Sequence, residues 1–232
     1  MEKLKNPPLN LVILRVEFPH HLKITETRSS YFDLVKADFP VILFPEIKSL
    51  AFDWADCIFR NQKNDTQIRI ASNYFVLETT NYENVRPFWS LFESNFSKFV
   101  KNFSITEILS IELIYQNILK IDDAKIGSDF SDYFSLEINF KDKPKRKLVT
   151  YNGGFIFSTD GGTVQIEIKP LQNQETKIWD KLTFNINFMS LKQQLSIREN
   201  LIELKALFDK AHSDIEDVFT TSLTKKYFDS LK

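Results

Sequence analysis

The sequence predicts an α+β protein in which a curved, mostly antiparallel sheet packs against two long helices. Three observations predict it. Several segments alternate apolar and polar residues with a period of two, two segments repeat apolar residues at three- and four-residue spacing, and no Pro/Gly/Ser-rich linker divides the 232 residues. Period-two alternation buries one strand face and wets the other, as in antiparallel sheet. Apolar residues three and four apart share one helix face. Without a linker, residues 1–232 read as one domain.

The strands come first. Residues 14–18 set Leu14, Val16 and Phe18 against Arg15 and Glu17. Residues 134–140, 164–169 and 182–188 repeat the alternation, and 52–60, 67–72, 74–79, 107–119 and 146–159 carry weaker forms of it. One helix is expected from Asn84, a good N-cap, with Pro87 inside the first turn, where a missing N–H does no harm. Val85, Phe88, Trp89, Phe92, Phe96 and Phe99 form its aromatic stripe, which reads as core. A second is expected from Ser196, with Ser196 and Glu199 as a capping box. Its apolar face is Ile197, Leu201, Leu204, Phe208, Ile215 and Val218, ending near Phe219. Shorter helices are expected near 27–38 and 222–230. Strands 67–72 and 74–79 lead into the first long helix, and strands 163–169 and 181–189 into the second, so two strand–strand–helix pseudo-repeats are expected.

Composition narrows the function classes. Hydrophobic residues make up 43% and charged residues 26%, enough for a sizeable core. The 22 phenylalanines, against two methionines, suit sheet–helix seams. Thirty basic and 31 acidic residues leave a net charge of −1, so no global field draws the chain to nucleic acid or an anionic membrane. Cys57 is the single cysteine, which rules out an intrachain disulfide and a multi-cysteine zinc site and suits a reducing compartment. The apolar run Leu11–Leu14 is too short for a signal-peptide core, and no stretch approaches the ~20 apolar residues of a membrane helix. The expectation is a cytoplasmic protein without membrane contact.

The segment YNGGFIFSTDGGTVQIEI, residues 151–168, holds four of the five glycines. A phosphate loop needs glycines between a strand and a helix. Here strand patterns flank both pairs, so Gly153–Gly154 and Gly161–Gly162 are expected as turns of a three-stranded meander over 146–169, where tight turns favour positive φ.

Few residues suggest chemistry. His20 and His21 are adjacent and point apart on extended chain, a poor ligand pair. Helical geometry places His212 beside Glu216. Asp122, Asp123, Asp129 and Asp132 fall in a polar stretch that solvation explains. No zinc-protease, nucleophile-elbow or paired Cys/His motif occurs. No catalytic residue, cofactor or metal is therefore expected. The strongest local charge is KDKPKRK, where Lys141, Lys143, Lys145, Arg146 and Lys147 could meet nucleic-acid phosphates from a hairpin tip.

Both chain ends and one central strand carry a resemblance. Residues 5–18 (KNPPLNLVILRVEF), Tyr115 and Asn117 in a Tyr-x-Asn strand, and His212, Ile215, Phe219 and Thr224 near the C-terminus together resemble a sporadically distributed family of uncharacterised bacterial proteins. Ile114 and Asn185/Asn187 stand where that family often has arginine and aspartates. Its patchy distribution resembles that of defence or toxin–antitoxin cassettes. The leading expectation is a non-catalytic protein-binding module with a protein partner, with self-association through Phe-rich surfaces as a further option. The alternative is a nucleic-acid-binding or RNA-processing protein using 141–147.

Overall fold

The computed structural model describes residues 8–44, 57–120, 133–135, 153–172, 175, 179–191, 195–197 and 201–231. In chain order the elements are β1 (Leu9–Glu17), α1 (Leu22–Val35), β2 (Val41–Leu43), β3 (Cys57–Arg60), β4 (Thr66–Ala71), β5 (Tyr74–Thr79), α2 (Val85–Phe103), β6 (Glu107–Ile108), β7 (Ser110–Lys120), β8 (Gly153–Thr159), β9 (Gly162–Gln172), β10 (Trp179–Ser190), β11 (Leu195–Ser196), α3 (Ile202–Ser222) and α4 (Lys225–Ser230). The fold is α+β.

Nine strands form one open antiparallel sheet in the order β2-β3-β4-β5-β1-β7-β10-β9-β8, and β6 and β11 form a separate pair. The sheet is neither closed nor strongly curled. Four helices accompany it among the described residues, of which α2 and α3 are the longest. The two central strands, β1 and β7, pair with Leu14 opposite Leu113. Outward from them, β5-β4-β3-β2 forms one wing and β10-β9-β8 the other.

Register decides which side chains face the helices. Val12, Leu14 and Val16 on β1 lie level with Tyr115, Leu113 and Ile111 on β7, and all are buried. Ile186 and Phe188 on β10 and Phe75 and Leu77 on β5 extend these rows on the same face. On this inner face α2 lays Phe92, Phe96 and Phe99 against Phe75 at centroid distances of 5.2–5.8 Å. Tyr31 of α1 meets Phe59, Phe75 and Phe99, and its hydroxyl donates to the Asn95 carbonyl at 3.2 Å. α3 joins the same layer through Phe208, 4.9 Å from Trp89, and Phe219, 6.0 Å from Phe184. The aromatic stripe read from sequence is therefore core.

Helix α2 starts where Asn84 caps it, its side chain accepting the Arg86 N–H at 3.1 Å. It ends at Ser104, which adopts the left-handed conformation (φ 58°, ψ 42°) usual at a helix C-terminus. The second long helix departs from expectation. Ser196 lies in β11 opposite Glu107, and α3 begins at Ile202 without a side-chain cap. Backbone pairing with β6 has taken the residue that local pattern assigned to capping; Glu199 lies outside the described residues.

The glycines also differ from expectation in part. Asp160 and Gly161 do turn the chain between β8 and β9, but Gly153 and Gly154 lie within β8. None of Gly154, Gly161 and Gly162 needs positive φ. Close approach explains two of them. A Cβ on Gly154 would sit 2.7 Å from the Ile166 carbonyl oxygen, and one on Gly162 would sit 2.1 Å from that of Met189. The remaining meander residues up to 152, like residues 136–140 of the expected 134–140 strand, lie outside the described residues.

Candidate functional site

One connected polar group crosses the helix–sheet layer. Strand alternation points Tyr115 of β7 to the inner face, and Tyr82 enters from the segment joining β5 to α2. Their hydroxyls lie 3.0 Å apart. The Tyr115 hydroxyl is also 2.9 Å from His212 Nδ1, which α3 delivers from 97 residues away in sequence. One helical turn on, Glu216 Oε1 lies 3.4 Å from His212 Nε2. The expected His212–Glu216 neighbourhood is present, and Tyr115 and His212, from separate stretches, meet. Tyr82 carries no sequence signal of its own; only the folded path of residues 80–84 brings it in.

The Glu216 carboxylate only accepts, so a hydrogen on His212 Nε2 would face an acceptor, and Nδ1 would then accept from the Tyr115 O–H. With the hydrogen on Nδ1 instead, Tyr115 accepts from His212 and its own O–H is free to donate to Tyr82. Burial sets the acidities. It lowers the His212 pKa, against the pull of Glu216 and Asp209 and with help from Lys205. Burial also raises Tyr82 to about 12 and holds Tyr115 well above the ordinary phenol value. Phenols so held stay protonated at neutral pH and keep an O–H to donate. Asn117, two residues from Tyr115 on the same face, is buried and donates to the Phe184 carbonyl at 3.0 Å, which ties β7 to β10.

An open cleft of about 520 Å³ adjoins this group, with Tyr82 and Phe88 on one wall and Asn61, Asp65, Thr66 and Thr79 on another. Its polar wall is internally paired. Asn61 Nδ2 donates to Asp65 Oδ1 at 2.6 Å, Thr66 Oγ1 donates to the same oxygen at 3.0 Å, and the Thr66 and Thr79 hydroxyls meet at 2.9 Å. The Asn61 bond holds the Asp65 carboxyl below its usual range. These bonds stabilise the β3–β4 turn, where Asn64 takes a positive φ of 57°.

The sheet's outer face is chemically different. It carries Arg15 and Glu17, paired at 2.7 Å, and Asn187, which donates to Glu112 at 2.7 Å. Lys169 meets Glu167 at 2.6 Å. Two large apolar residues stand among them, Ile156 at 70% and Met189 at 49% exposure. The aromatic, helix and core contacts of α1, α2 and α3 described above all fall on the opposite face.

His20 lies on the exposed stretch after β1, as expected, with Nδ1 3.0 Å from the Ser72 hydroxyl. His21, half-buried, occupies the position before α1. Asp122, Asp123, Asp129, Asp132 and the basic residues Lys141, Lys143, Lys145, Arg146 and Lys147 lie outside the described residues. Among the described residues no three His, Cys, Asp or Glu side chains cluster for a metal, and no helix is long and apolar enough to cross a membrane. No protein-family model matches the chain, and no curated protein matches it.

Proposed function

We propose that this chain is a non-catalytic protein-binding module whose partner docks on the outer face of the sheet. The observation that supports this reading is the composition of that face. Paired charges and amides share that face with Ile156 and Met189, two apolar side chains that none of the described helices covers and that a partner could bury. Over β5, β1, β7 and β10 the inner face is packed against the helices. We read the two wings, β4-β5-α2 and β9-β10-α3, as pseudo-repeats about the β1–β7 centre, which turns one broad sheet into the scaffold for that surface. The resemblance to a sporadically distributed family of uncharacterised bacterial proteins, whose distribution is like that of defence or toxin–antitoxin cassettes, makes a neighbouring effector protein the first partner to test.

The test is co-purification of the wild-type chain and an Ile156→Lys/Met189→Lys variant with such an effector. Exposed substitutions of this kind cost little stability, within about 0.5 kcal/mol each. The reading predicts a stoichiometric complex that the double variant loses while keeping its unfolding midpoint. A complex that survives the double variant contradicts it.

A further inference from the structure

We propose that the Tyr82–Tyr115–His212–Glu216 chain is a proton-operated latch: one proton taken up by His212 reverses the direction of its hydrogen bonds and weakens the hold of α3 on the sheet. The latch assigns the neutral donors from Tyr82 to Tyr115 to Nδ1, with Nε2–H toward Glu216, over contacts of 3.0, 2.9 and 3.4 Å. A solvent proton that binds Nδ1 turns that nitrogen into a donor. Tyr115 must then accept from His212 and swing its own O–H toward Tyr82, whose oxygen becomes the acceptor. The Tyr82 O–H is released from the chain. No bond to carbon changes; one proton enters and two hydroxyls rotate.

The setting makes the charged state costly. The His212 side chain is 18% exposed, and Phe208 stacks on it at 6.5 Å. From α3 it is faced by Glu216, Asp209 and Lys205. From β7 it meets Tyr115, and through Tyr115 it reaches Tyr82 of the β5–α2 segment. α2 adds the rings of Phe88 and Trp89, packed on Phe208. Glu216 and Asp209 attract the added charge, but burial and Lys205 oppose it and prevail. The folded chain therefore binds the proton less readily than the unfolded chain. Stability is complete above the ordinary histidine value of 6.5 and is lost as pH falls through that value toward the lower folded-state value. α3 carries this cost because His212 is on it.

The experiment combines two measurements on the full chain. Imidazole nitrogen NMR shifts of the wild-type protein give the tautomer and titration of His212 without any substitution. The latch predicts the Nε2–H tautomer at neutral pH and a midpoint below 6.5. Thermal unfolding at about pH 7.5 and about pH 5.5 then compares wild type with His212→Gln, which cannot titrate. The wild-type midpoint should fall by roughly 2–4 °C more than that of the variant on acidification. A neutral Nδ1–H tautomer, or a His212 midpoint at or above its ordinary value, overturns the latch. So does an equal acid loss in wild type and a folded His212→Gln variant. Should that variant not fold, the tautomer and midpoint of the wild type decide alone.

Discussion

Tyr115 links three elements with one hydroxyl, and its removal isolates the effect. Tyr115→Phe keeps the ring in the core but leaves His212 Nδ1 and the Tyr82 hydroxyl without their shared partner. A buried group left unpaired costs about 1–3 kcal/mol. Urea unfolding should show a loss of that size, and no change would mean the hydroxyl chain adds nothing to stability. At this scale the sequence was partly legible. Helical spacing set His212 beside Glu216, and Tyr115 and Asn117 stood out only as part of a strand that carries a family resemblance. The Tyr115–His212 contact joins residues 97 apart, and local periodicity holds no information about such a distance. Tyr82 was illegible for the same reason, because it sits in a polar connection with no period.

Elements obey local rules until tertiary pairing competes. Asn84 was legible as a cap, and Asn84→Ala should destabilise the chain by about 1 kcal/mol. Phe99 touches Phe18, Tyr31, Phe75, Phe96 and Phe103 with no exposure, so Phe99→Ala should cost about 3–5 kcal/mol. Denaturant titration of both variants checks the order, and a larger loss for the cap than for the ring would contradict the core assignment. Ser196 shows the limit: it fits a capping box by pattern, yet pairing with Glu107 takes it into a strand. The glycines teach a related lesson. Their spacing suggested turns, whereas Gly162 is required because a neighbouring strand's carbonyl fills the Cβ position. At Gly161 the nearest atoms belong to the flexible Lys210 side chain. Gly162→Ala should therefore lower the melting temperature more than Gly161→Ala, and the reverse order would overturn this packing account.

For the whole molecule, the fold class was legible because period-two and helical segments alternate along one uninterrupted chain. Strand order was not, since β1 pairs with both β5 and β7 across long sequence gaps. That order produces two wings around a central pair, helices on one face, and a polar face with isolated apolar residues on the other. The central claim is that this outer face binds a protein. Co-purification with the neighbouring effector, at moderate salt and with the absorbance ratio recorded, tests it most directly. The account predicts a stoichiometric, nucleic-acid-free complex for wild type and for His212→Gln at neutral pH, and its loss for Ile156→Lys/Met189→Lys. A complex unaffected by that double variant, or a high nucleic-acid absorbance that nuclease removes together with the binding, would contradict it.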